Sequence, residues 1–197
     1  FCPISAMKAR IWVAQGRLTK ALEWAREQGL SVDDAPSYLR EFEHITLARV
    51  LIARYKSDRV DDIIREAEEL LERLMKAAEE GGRKGSMIEI LVLQALAHQA
   101  QGDIMPALVP LERALTLAEP EGYVRIFVDE GEPMRSLIEK QSRGQDKTFP
   151  GYVDKLLAAF AQSTSPQDQE SKIANRKSKI VEPLSERELE VLRLLGT

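Results

Sequence analysis

Apolar residues recur mostly at every third and fourth position along this chain, the period of a helix packed on one side, and clusters of turn formers interrupt the pattern. The pattern predicts a helix over about 5–15, a second over about 18–28, and a loop through Ser31-Val32-Asp33-Asp34-Ala35-Pro36. A longer hairpin follows. Its second arm carries Val60, Ile63, Ile64, Ala67, Leu70, Leu71, Leu74 and Ala78 as one apolar stripe, with Glu and Arg opposite, and Gly81-Gly82 end it. Met87 to Gln101 is apolar on nearly all sides. A buried strand over 88–93 fits its first half, but Ala95, Leu96, Ala97 and Ala100 continue the run to helical length, which predicts a central buried helix. Beyond Pro120, residues 122–129, 133–141 and 152–162 have the pattern of shorter helices that would cap the stack, and 164–183 turns polar, as a linker does.

The hairpins repeat. Gly16-Arg17-Leu18, Asp58-Arg59-Val60 and Gly102-Asp103-Ile104 form matching turns at intervals of about 42 and about 44 residues. Small or apolar residues stand at matching offsets after them: Ala21 and Ala25, Ile63 and Ala67, Ala107 and Leu111. Such residues let antiparallel helices approach closely. The third hairpin, with Gly102-Asp103, Ala107, Leu111, Ala114 and Pro120, resembles a tetratricopeptide repeat most closely. Pro106 suits a first helical turn, whereas Pro110 removes a backbone bond and predicts a bend. The expected architecture is all-α, a right-handed superhelix of tetratricopeptide-like antiparallel hairpins over 1–163, then the linker and a short final segment over 184–197.

Composition narrows the function. With 44% apolar, 30% charged and 6% aromatic residues the chain is built for helices, and 28 basic against 32 acidic residues give a net charge of -4, a poor match to nucleic-acid phosphates. The single Cys2 permits no internal disulfide, the first residues lack the basic, apolar and small-residue order of a signal peptide, and no apolar run reaches membrane-spanning length, so a cytoplasmic setting is expected. The chain opens on Phe1-Cys2-Pro3 and stops at Gly196-Thr197 inside an amphipathic pattern, and so reads as part of a longer protein.

That last pattern is specific. In Leu184-Ser185-Glu186-Arg187-Glu188-Leu189-Glu190-Val191-Leu192, Ser185 and Glu188 form a capping box, and Arg187 completes a stretch that resembles the opening helix of a LuxR-type helix-turn-helix domain. The segments Ser37-Tyr38-Leu39-Arg40-Glu41-Phe42-Glu43-His44-Ile45-Thr46-Leu47-Ala48-Arg49 and Gly122-Tyr123-Val124-Arg125-Ile126-Phe127-Val128-Asp129-Glu130-Gly131 resemble the MalT-like branch of LuxR regulators. The resemblance implies a sensor superhelix lying between an ATP-binding module and a DNA-binding domain. It also implies an effector or protein partner on the superhelix, gated self-association, and DNA contact only through the complete regulator. ATP would belong to the upstream module, and no cofactor to this stretch.

Within such a groove, Tyr38, Arg40, Glu41, His44 and Arg49 are the candidates to meet an effector or partner, with packing and ion pairing between helices as their alternative role. Arg125, Phe127 and Asp129 are candidates for a helix junction near the cap. Rival chemistry is thin. Gly81-Gly82-Arg83-Lys84-Gly85-Ser86 lacks the spacing of a phosphate loop and reads as a hairpin turn. Glu41 and His44 make one Glu-x-x-His, but His98 has no matching Glu, so a di-iron site is not expected. The acid pairs Asp33-Asp34, Asp61-Asp62 and Asp129-Glu130 read as acids at loops and helix starts, where the helix dipole favours them. Lys172, Arg176, Lys177 and Lys179 read as solvated linker charges, with DNA phosphate as the alternative. No nucleophile and base stand together, so no enzyme is expected. A plain tetratricopeptide adaptor for a protein or peptide is the other function compatible with these features.

Overall fold

The computed structural model describes residues 3–143 and 150–163, and all regular structure among them is helical. Six helices form three antiparallel hairpins: α1 (Ile4–Ala14) with α2 (Leu18–Glu27), α3 (Glu41–Asp58) with α4 (Asp61–Glu80), and α5 (Lys84–Gln101) with α6 (Ile104–Ala118). A 3-10 turn, Tyr38–Arg40, leads into α3. Three shorter helices follow: α7 (Arg125–Val128), α8 (Glu132–Arg143) and α9 (Pro150–Ser163). Two compact units divide the chain, 1–160 and 161–197; only residues 161–163, the end of α9, are described in the second. The Leu184 to Leu195 motif with Ser185, Arg187 and Glu188, and the 164–183 linker with its basic residues, lie outside the described residues.

The tetratricopeptide-like hairpin stack expected from the periodicity is present. First helices touch first helices, α1 on α3 and α3 on α5, while each second helix covers its own hairpin. This layering explains two kinds of sequence. In α4 the buried residues Ile63, Ile64, Ala67, Leu70, Leu71, Leu74 and Ala78 keep to one stripe, because the other side faces water. In α3 and α5 the buried residues lie all round the helix, because neighbours pack on several sides. As expected, α5 is central: it meets α3, α4, α6, α7 and α8, and Ile88, Ile90, Leu91, Val92, Leu93, Ala95 and Leu96 are buried along it.

The turns set the repeat, in a register one residue different from the expected one. The left-handed positions are Gly16 (φ 70), Arg59 (φ 56) and Gly102 (φ 95), which places the middle turn on Arg59 rather than Asp58 and makes both intervals 43 residues (16 to 59, 59 to 102). After each comes one non-helical residue, Arg17, Val60 or Asp103, and the second helix starts. Arg59 does what glycine does elsewhere because its side chain is held. Its guanidinium donates to the Ala100 carbonyl at 2.8 Å and stacks on the Tyr55 ring at 5.5 Å. Val60 consequently sits ahead of α4, exposed, and not in the apolar stripe where its spacing placed it.

One other expectation changes. The segment 122–129 is not one helix: Gly122 (φ 68) is a left-handed turn residue, and only Arg125–Val128 are helical. Asp129-Glu130 lies in the turn between α7 and α8, beside a loop and a helix start as expected. At α4, Asp61 and Asp62 occupy the first turn, as expected of acids at a helix start. The helix α6 runs through Pro110 unbroken, and Pro106 falls in its first turn, where the missing N–H has no helical acceptor to lose. At the far end Tyr152, Val153, Leu156 and Phe160 bury one face of α9. Tyr152 meets Phe127 edge-on, with centroids 6.4 Å apart, and its hydroxyl donates to the Tyr123 carbonyl.

Candidate functional site

A half-open cleft of about 180 Å³ crosses the layer of first helices. Helix α1 contributes Arg10, Val13 and Ala14, α3 contributes Arg49, Ile52, Ala53 and Lys56, α5 contributes Leu93 and Leu96, and the turn after α7 contributes Asp129 and Glu130. The spacing places each set on one face: three and four residues separate Arg10 from Val13 and Ala14, and three, four and seven separate Arg49 from Ile52, Ala53 and Lys56. Larger hollows exist on single hairpins, one of about 340 Å³ between α1 and α2 and a shallow one of about 420 Å³ along α6. Only the cleft joins residues from all three hairpins among these hollows.

An ionic chain runs beneath it. Arg10 Nη1 lies 2.6 Å from Glu89 Oε1, Arg49 Nη2 lies 3.2 Å from the same oxygen, and Arg49 Nη1 donates to both Glu130 oxygens at 2.5 and 2.7 Å. Arg10 also donates through Nε to Thr46 Oγ1 at 2.9 Å and lies 3.7 Å over the Phe42 ring. One carboxylate thus holds two guanidinium groups, and the chain ties α1, α3, α5 and the turn after α7 together. Burial works against the charge on Arg49, but Glu130 and Glu89 outweigh it and leave the guanidinium more firmly protonated than usual. Its Nε, buried, has no acceptor among the described residues.

At the rim Lys56 is different. Its side chain reaches solvent, yet the protein crowded around its ammonium lowers its pKa; Glu130 opposes that shift, and Arg49 and Arg59 add to it. No carboxylate lies within ion-pair distance of Lys56 among the described residues. Asp129, on the same rim, pairs with Arg125 at 2.6 Å.

Of the five groove candidates, only Arg49 lines the cleft. The other four gather at the start of α3. Glu41, buried, takes Arg83 Nε at 2.8 Å and the Ser86 hydroxyl, pinning α3 to the α4–α5 turn. His44, buried, sits with Nδ1 3.0 Å from the Arg40 carbonyl and Nε2 3.1 Å from Asp34 Oδ2. Arg40 bonds Glu43 at 2.8 Å and the Gln28 carbonyl at 2.8 Å. Tyr38 is exposed, with Arg83 5.7 Å above its ring. The junction candidates divide: Phe127 is wholly buried against Tyr152, while Arg125 and Asp129 pair with each other at the surface.

Sequence reasoning missed Arg10, Lys56 and Glu89, and read Glu130 as one of the acids at loops and helix starts. A signal for three of the cleft's charges was present. Arg10 in Ala9-Arg10-Ile11, Arg49 in Ala48-Arg49-Val50 and Glu89 in Ile88-Glu89-Ile90 are single charges inside apolar runs, where a charge is costly unless a partner meets it. Their mutual pairing needed the fold.

Sequential hairpins whose first helices share a charged cleft define a helical-repeat binding scaffold. A family model described as the MalT-like TPR region matches residues 2–143, and the chain belongs to that family. No curated protein and no solved structure matches the chain.

Proposed function

We propose that this chain is the effector-sensing and self-association segment of a bacterial LuxR-type, MalT-like transcriptional regulator. DNA binding and ATP hydrolysis belong, on this reading, to neighbouring modules of the regulator. The observation that carries it is the cleft: three hairpins contribute apolar side chains and fixed charges to one small cavity, so a molecule bound there touches α1, α3 and α5 together. Binding energy then favours whichever relative placement of hairpins makes the best contacts, and the superhelix shifts toward that arrangement. Coupling to assembly is reciprocal: an effector that promotes self-association is itself bound more tightly by the assembled form. Residues 184–197, with Ser185, Arg187 and Glu188, support the link to transcription through their sequence.

The test is a thermal shift of the purified chain against a panel of small sugars and metabolites, with light scattering on any hit. An effector raises the melting temperature by mass action and changes the mass distribution. Indifference to every small molecule, with saturable binding of a peptide, establishes the adaptor alternative instead. The exposed Met105 and Val109 on α6 are the feature that favours the adaptor.

A further inference from the structure

We infer that the cleft takes a small monocarboxylate with a short apolar tail, its carboxylate on Lys56 and its tail over Ile52, Leu93 and Leu96; this rests on the effector reading above. The charges decide the head group. Glu89 and Glu130 are already bonded to Arg10 and Arg49, and Asp129 faces Arg125. Lys56 is the cation of the lining that has no ion pair within 4.0 Å among the described residues, so the cleft carries one unmatched positive charge at its rim. A carboxylate matches it. A doubly charged phosphate brings more charge than one ammonium offsets and places the excess beside Glu130, while an amine meets Lys56 with like charge.

Volume and floor decide the rest. About 180 Å³ equals the liquid volume of roughly six waters, a size that a short-chain acid fills. Val13, Ile52, Leu93 and Leu96 line the cleft with hydrocarbon beside its paired charges, so an apolar tail laid over them gains from leaving water. The lowered pKa of Lys56 agrees with a cation crowded by protein and short of an anion, and a bound carboxylate raises it.

Titration calorimetry on the full 197-residue chain at low salt, with butyrate, pentanoate and hexanoate, their amides, and inorganic phosphate, tests this. The acids bind at least about tenfold more tightly than their amides and than phosphate, and Lys56→Met loses about tenfold while Lys56→Arg retains binding. NMR of the Lys56 ammonium provides a second readout, its pKa rising when acid is added. Equal binding of acid and amide, or acid binding unchanged in Lys56→Met, overturns the carboxylate assignment. If a neutral sugar binds at the cleft and no carboxylate does, the effector reading stands and this inference falls. If no small molecule binds at all, both fall.

Discussion

A left-handed backbone position is the smallest unit on which this fold depends. At Gly102 the φ of 95° lies where a Cβ is disfavoured, and nothing lies within 4 Å of where that Cβ would stand, so the constraint is conformational and not one of space. Gly102→Ala is expected to cost about 1 kcal/mol, read from a chemical denaturation midpoint, with the cleft unaffected. Arg59 holds the equivalent place in the second hairpin by tethering its side chain, and this is why the sequence alone put that turn one residue early: nothing in Asp58-Arg59-Val60 marks Arg as the left-handed residue until its bond to Ala100, 41 positions away, is known. Asp34 is the second residue whose role is local. The Ser31 N–H and then His44 hold its carboxylate below the ordinary carboxylate pKa of 3.8, so its contribution to stability is complete above that value and is lost as pH falls through the lower folded value. Asp34→Asn should therefore be less stable than the native chain at neutral pH, with the gap closing on acidification; urea midpoints measured at about pH 7 and about pH 3 check the sign.

Helices are joined here by few but specific contacts. Arg49 projects from α3 to Glu89 of α5 and to Glu130 in the turn after α7, and all three side chains are mostly shielded from water. Arg49→Ala would strand Glu130 in a low-dielectric setting and leave Glu89 with Arg10 alone. The expected loss is about 3 kcal/mol, read from the denaturation midpoint, whereas Arg54→Ala, which removes an exposed pair with Asp58 on the same helix, should change it by less than about 1 kcal/mol. Helix identity and order were legible in the pattern, because an amphipathic stripe such as that of α4 is a property of the sequence itself. The extent of α7 was not: Gly122 to Asp129 has helical spacing, and the left-handed turn at Gly122 together with the packing of Phe127 on Tyr152 confines the helix to four residues. Glu41 and His44 show the same limit from the site's side. Their spacing suits a groove or a ligand, but buried bonds to Arg83, Ser86, Arg40 and Asp34 occupy them.

Across the described array, backbone packing joins helices close to one another in sequence, while longer reaches such as Arg10 to Glu89 and Arg49 to Glu130 are made by side chains. Stability in such a stack is a sum of hairpins and the interfaces between neighbours, so damage at one end need not spread to the other. Trp24→Ala, which empties the core of the first hairpin, is expected to cost about 3 kcal/mol locally. Hydrogen exchange followed by mass spectrometry should show α1 and α2 losing protection while α5 and α6 keep theirs; uniform loss throughout would show a single cooperative unit instead. The cleft spans α1, α3 and α5, so a ligand there should restore protection in the damaged hairpin.

By itself, the sequence determined the helices, their hairpin pairing, the near-43-residue repeat and the central place of α5, because apolar periodicity and turn chemistry act over a few residues and are written along the chain. Only the tertiary structure decided which charges share the cleft. Arg10, Arg49, Glu89 and Glu130 stand on four separate segments, as many as 120 positions apart, and become one site because stacked hairpins bring first helices side by side. The lone charge at Lys56 was settled in the same way: whether a lysine is paired depends on where every carboxylate near it is already bonded, which is a property of the packed molecule and of no local stretch of its sequence.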